Sequence, residues 1–125
     1  MNDKTAPLFD KTMLPNSLGT SEADILVQFY EMFIQITLES WRDLSAGNNS
    51  HDFKLVRQIA HKLKSSSASI GAIALAQSLK ELEMAATDSN LLQVIEKTER
   101  TSQLLEETVA CVRSELASLQ QEPAR

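Results

Sequence analysis

Within Ala60-His61-Lys62-Leu63-Lys64-Ser65-Ser66-Ser67-Ala68-Ser69-Ile70-Gly71-Ala72, a histidine is followed three residues on by a lysine, then by small hydroxyl residues, and the run closes on glycine. An imidazole held in water is largely neutral at pH 7, so one ring nitrogen offers a lone pair to an electrophile. A cation one helical turn away offsets negative charge placed on that nitrogen, such as a phosphoryl group. Small side chains at Ser65 and Ala68 let another protein approach closely. A lone histidine on a helix is ordinarily a plain surface residue; the company of Lys64 and the small residues is what makes His61 a candidate nucleophile. His51 lacks that company and reads as a loop residue. Cys111, the single cysteine, has no partner for an internal disulfide and lies in an amphipathic stretch, where packing is the usual role.

The elements that position His61 follow from sparse punctuation. Three glycines and three prolines in 125 residues leave room for long helices, and no two-residue alternation suggests a strand. Leu8–Leu14 reads as one or two turns before Pro15, with Leu8, Phe9, Met13 and Leu14 capping a bundle end. Gly19-Thr20-Ser21 breaks the chain, and Ser21 with Asp24 resembles a capping box for a helix reaching about Ala46. On it, Ile25, Leu26, Phe29, Met32, Phe33, Ile36 and Leu44 form the expected core stripe. Tyr30, Ile34, Leu38 and Trp41 fall outside the stripe. They are either covered by the N-terminal segment or form a docking patch, since tyrosine and tryptophan are common interface anchors.

Ser45–Ser50 reads as a turn, and Ser50 or Asp52 caps a helix to about Ile70. Its core stripe is Phe53, Val56, Ile59, Ala60, Leu63, Ser67 and Ile70. His61 lies roughly 140° round from the middle of it, facing solvent, with Lys54, Arg57, Lys64, Ser65 and Ala68 on the same side. Gly71 ends this helix, and the short joint forces the next one back antiparallel, with Ala72, Leu75, Leu79, Leu82 and Ala86 as its core. Glu83 sits at the edge of that stripe, where it can accept the proton of one imidazole nitrogen and leave the other nucleophilic. Lys80 lies further round. The last helix starts after Asp88-Ser89-Asn90 and runs to about Leu119, with Leu91, Ile95, Thr98, Ser102, Leu105, Val109, Val112, Leu116 and Leu119 on one line. Glu122-Pro123-Ala124-Arg125 reads as a frayed tail. The whole is expected to be an all-α, antiparallel up-down four-helix bundle with a short extra N-terminal helix, one domain over 1–125 and ordered over about 8–119.

Composition restricts the partners. With 42% hydrophobic and 23% charged residues the chain suits one soluble core. A net charge of −5 argues against nucleic acid, yet Phe53–Lys80 holds five basic residues and no acidic one, leaving −10 on the remainder. The candidate histidine thus sits in a positive segment of an acidic protein. Apolar runs are interrupted by charges, and Met1-Asn2-Asp3-Lys4 lacks the layout of a signal peptide, so a cytoplasmic location without membrane insertion is expected. No Glu-x-x-His pairs of a carboxylate-bridged metal bundle occur.

The stretch Ala60-His61-x-Leu63-Lys64-small residues-Ile70-Gly71-Ala72, continued by Leu75, Leu79 and Leu82-Glu83, resembles the histidine-containing phosphotransfer (HPt) domains of multistep two-component signalling. The similarity of helix pattern extends over nearly the whole chain; it departs after the lysine, where the family often has glycine and this chain has Ser65. The resemblance implies that His61 accepts a phosphoryl group from a receiver-domain phosphoaspartate and passes it to another receiver aspartate. It further implies that Lys64 neighbours the phosphate and that Glu83 contacts the imidazole. Such a domain is a phosphocarrier, a monomer without metal or cofactor, whose partners are response-regulator receiver domains and a hybrid histidine kinase. Lys54, Arg57, Gln58, Ser65, Ala68 and Lys80, together with Tyr30, Ile34 and Trp41, make the expected partner surface. A helical adaptor without chemistry is the alternative, and it would have no use for the His61 and Lys64 pair.

Overall fold

A computed structural model describes residues 6–121; the tail expected at 122–125 and the first residues, 1–5, lie outside the described part. Five helices follow one another: α1 (Met13–Leu18), α2 (Ala23–Asn49), α3 (Phe53–Ile70), α4 (Ile73–Thr87) and α5 (Leu91–Gln120). The four long ones pack in a ring, α2 on α3, α3 on α4, α4 on α5 and α5 back on α2, with α1 against α3. This is the expected helical bundle with its short N-terminal addition.

The joint between α3 and α4 sets the geometry of the site. Gly71 ends α3 in the left-handed region, φ 95°, where a side chain is strained. A Cβ there would also run into the Asp10 carbonyl. The N-terminal segment lies across this corner: Asp10 N–H donates to the Gly71 carbonyl at 2.9 Å, and the Pro7 carbonyl accepts from Ala74 N–H at 2.9 Å. Pro7 thereby satisfies one of the open donors in the first turn of α4. With only Gly71 and Ala72 between them, α3 and α4 fold back on each other, burying Val56, Ala60, Leu63 and Ile70 against Leu75, Leu79 and Leu82. Each of the Val, Leu and Ile side chains contributes about 1.5–3 kcal/mol, and the Ala60 methyl about 0.8 kcal/mol. Ser78 and Thr101, 2.6 Å apart and buried, tie α4 to α5.

Several boundaries differ from the sequence reading. Pro15 lies inside α1, in its first turn, where no amide donor is required. The N-cap of α2 is Glu22 without a side-chain cap, and Thr20 Oγ1 instead accepts from Glu22 N–H at 3.1 Å. Helix α2 continues through the supposed turn to Asn49. Gly47 is tolerated there because α3 passes so close that a Cβ would sit 3.0 Å from Leu55 Cδ2. Asp52 does cap α3, accepting from Leu55 N–H. His51 is a loop residue at φ 59°.

The face that α2 turns inward is also corrected. Leu26, Phe33 and Leu44 are buried as expected, but the flank beside them in the core is Tyr30, Ile34 and Thr37. Phe29, Met32 and Ile36 are exposed, at 41%, 56% and 46%. Tyr30 is fully buried and Ile34 nearly so, while Trp41 is half-buried and packed on the core. None of the three offers a free docking side chain. Phe9 packs on this flank, its ring meeting Tyr30 edge-on at 5.7 Å. On α5 the line Leu105, Val109, Val112 and Leu116 is buried, whereas Leu91 and Ile95 are exposed and Val94 and Thr101 take their place. Alternating steps of four and three trace a 3.5-residue repeat, and a 3.6-residue helix drifts about 20° from it per heptad.

Tyr30 is the only tyrosine, so its titration can be read directly. Burial, aided by the negative Glu115 and Asp10, pushes its hydroxyl up to about 12 from 10.0. The stability linked to this group is therefore full below about pH 10 and is lost as pH rises toward 12. Phenolate absorbance is expected to appear only near the upper value in native protein and near the lower one in denaturant. Because the hydroxyl has no hydrogen-bond partner among the described residues, Tyr30→Phe should hold or raise stability by up to about 1 kcal/mol, whereas Tyr30→Ala should cost about 3–5 kcal/mol in chemical denaturation.

Candidate functional site

His61 stands midway along α3 with its side chain 62% exposed. Its neighbours at the preceding and third following positions, Ala60 and Lys64, divide the labour: Ala60 is buried in the core and Lys64 lies half-covered at the seam with α4. From α4, Glu83 projects into the same seam and bridges both polar groups. Its Oε2 is 2.8 Å from His61 Nδ1, and its Oε1 accepts from Lys64 Nζ at 2.8 Å. The spacing responsible is simple. Glu83 follows the core residues Leu79 and Leu82 by four and one, which puts it at the rim of the buried stripe, facing α3.

Electrostatics and tautomer follow from those contacts. Burial pushes the Glu83 carboxyl up, but the hydrogen bonds from Lys64 and His61, with their charges, outweigh it and hold the group below the ordinary carboxylate value. An ionised carboxylate is only an acceptor, so Nδ1 carries a ring hydrogen, and in the neutral ring it is Nε2 that holds the lone pair. The imidazole is therefore oriented on one side and open on the other. Lys64, expected as a free neighbour for phosphate, is engaged with Glu83; it stays within reach of the ring because both donors share one carboxylate.

Around this triad Lys54, Gln58, Ser65 and Lys80 are exposed, and Arg57 and Ala68 half-buried. Lys80 joins Lys64, Glu83, Met84, Thr87 and Asp88 around a shallow hollow on the α4 side. On the other flank of α3 an apolar groove opens between α1, α2 and α3, lined among others by Leu18, Phe29, Met32, Ile36, Ser66 and Ser69. Tyr30, Ile34 and Trp41 are not brought to this surface. The groove residues were missed as surface because their spacing suits a core equally well; Met32 and Ile36 differ from the true core flank only in phase. Among the described residues no group of three or more His, Cys, Asp or Glu side chains could hold a metal ion, and no helix is long and apolar enough to cross a membrane.

The family model of the Hpt domain matches residues 28–122. The chain belongs to the Hpt domain family. Among solved structures it is similar to the histidine-containing phosphotransfer protein B (HptB) of Pseudomonas aeruginosa PAO1, with a TM-score of 0.81 and 25% identity over 94% of this chain and 99% of that one. No curated protein matches it significantly.

The Glu83 contacts carry a pH signature. A carboxyl depressed in the folded state contributes stability above its ordinary value of 4.5, and that contribution is lost as pH falls through the folded midpoint. Denaturation of wild type and Glu83→Gln across the acid range is expected to show the curves converging at low pH, with the wild type the more stable at neutral pH.

Proposed function

We propose that this domain relays phosphoryl groups through His61. Family membership supports a histidine phosphotransfer role in a two-component phosphorelay, where Hpt domains interact with receiver domains and kinases. The observation that carries the assignment to His61 is its geometry: Nδ1 is held by Glu83 at 2.8 Å, and the opposite edge of a mostly exposed ring is free for attack. His51, the other histidine, sits in a loop against Phe53, and among the described residues no carboxylate or cation holds its side chain.

In the proposed step the Nε2 lone pair attacks the phosphorus of a receiver's aspartyl phosphate, the P–O bond to that carboxylate breaks, and its electron pair stays with the aspartate. Transfer onward reverses the sequence on a second receiver. Glu83 fixes the tautomer that makes Nε2 the nucleophile. Lys64, seated one turn away, supplies a cation that can turn toward the arriving phosphoryl oxygens. The chain brings no Gly-rich phosphate loop; the receiver supplies its own acidic pocket, which the basic Lys54, Arg57, Lys64 and Lys80 surround favourably. The domain acts as a monomer in the cytoplasm, with a hybrid histidine kinase upstream. The groove lined by Phe29, Met32 and Ile36 replaces Tyr30, Ile34 and Trp41 as the apolar part of the receiver footprint, because it is exposed and borders the same face of α3 through Ser66 and Ser69.

Incubation with a phosphorylated receiver should place acid-labile, alkali-stable label on wild type and none on His61→Gln; absence of label on wild type would favour the adaptor reading. Ile36→Ser and Met32→Ser are expected to weaken receiver binding by about 1–2 kcal/mol each, leaving thermal stability nearly unchanged, since both side chains are already half in water. Titration calorimetry against the receiver checks this, and unaltered affinity in both would remove the groove from the footprint.

A further inference from the structure

We infer that Glu83 keeps the Nδ1 proton on the His61 ring after phosphorylation, so that the phosphoryl group travels on a cationic ring set to release it. This inference rests on the relay reading above and concerns what happens between the two transfers.

The chemistry turns on one proton. When Nε2 forms its bond to phosphorus, the ring already carries hydrogen on Nδ1 and becomes a cation; no proton has to leave. If that proton is retained, breaking the P–N bond returns the electron pair to Nε2 and the ring departs neutral. If it has been lost to solvent, the same bond cleavage expels an imidazolide anion, a far poorer leaving group. A carboxylate at hydrogen-bond distance favours retention, because it attracts the charged ring more than the neutral one. Glu83 Oε2 occupies that place at 2.8 Å. Lys64 on Oε1, also at 2.8 Å, keeps the carboxylate aimed and ionised against the burial that pushes it up, while its own charge, like that of the other cations, opposes retention. The other charges near the ring are Lys54, Arg57 and Lys62 on α3 and Lys80 on α4, all cationic and all opposing retention, with Asp88 across the hollow. Among the described residues Glu83 is the carboxylate in contact with the ring, so it is the positioning residue on which the proton depends.

The full chain, phosphorylated with inorganic phosphoramidate, is titrated by ring ¹⁵N NMR, and transfer to a receiver domain is timed over about pH 6–9. Glu83→Gln, which keeps the shape and loses the charge, is expected to lower the ring midpoint of the phosphorylated protein by about one pH unit. Its transfer rate then falls about tenfold above both midpoints and stays within about twofold of wild type below them. Lys64→Gln is expected to move the midpoint upward, since it strips a cation from the carboxylate. Equal midpoints in wild type and Glu83→Gln, a downward shift in Lys64→Gln, or a rate loss in Glu83→Gln that is uniform with pH would each overturn the inference while leaving the relay intact. Failure of His61 to take label in wild type from phosphoramidate and from a phosphorylated receiver alike would instead remove the relay reading, and this inference with it.

Discussion

Among the described residues the carboxylate of Glu83 is the one group that touches both polar side chains of the site, and it does so across a helix–helix seam. For a single oxygen pair to meet an imidazole on one side and an ammonium on the other, α3 and α4 must be held in fixed axial register. That register is set some distance away, at Gly71. A left-handed residue with no side chain lets the chain reverse within two residues, and the N-terminal segment then lies directly on it, with Asp10 on the Gly71 carbonyl and Pro7 on the Ala74 amide. The apolar seam of Leu63, Leu75, Leu79 and Leu82 carries the register from the corner to the site. A slip of one residue would turn Glu83 about 100° around its helix and leave the ring without an acceptor.

This arrangement separates what must be rigid from what must be open. The backbone of α3 is buried on its core side from Val56 to Ile70, and the charged groups of the seam are satisfied by one another, so there is little for the ring to reorganise before reaction. The imidazole itself is mostly exposed. A phosphoryl carrier needs that asymmetry: oriented enough to react, exposed enough for two different receivers to reach it. It needs no enclosed pocket, and the concavities beside the site are shallow flanks of the helix pair.

The charge distribution serves the same end. Five of the twelve basic residues lie between Phe53 and Lys80, a stretch of an acidic protein with no acidic residue of its own, and carboxylate- or phosphate-bearing groups are attracted to such a segment. The apolar groove between α1, α2 and α3 borders that segment, and the N-terminal segment covers the Tyr30 flank of α2 while the Phe29 flank is bare.

By itself the amino-acid sequence determined the class of fold, the helix pair around Gly71, the outward direction of His61 and the candidacy of Glu83. Each of these follows from local spacing: apolar steps of three and four place the core, and whatever lies opposite or at its rim is then defined. Only the tertiary structure decided which of two apolar flanks α2 turns inward, because Tyr30, Ile34 and Trp41 differ from Phe29, Met32 and Ile36 in phase and hardly in hydrophobicity. Phe9 meets Tyr30 on the chosen flank, in line with cover by the N-terminal segment, the one of the two sequence readings that periodicity within α2 could not select. The same holds for the engagement of Lys64, which spacing alone left free, and for the N-terminal half of α5, where slow drift between the repeat and the helix exchanged Leu91 and Ile95 for Val94 and Thr101. Periodicity describes one helix at a time; which neighbour covers it is a property of the assembled bundle.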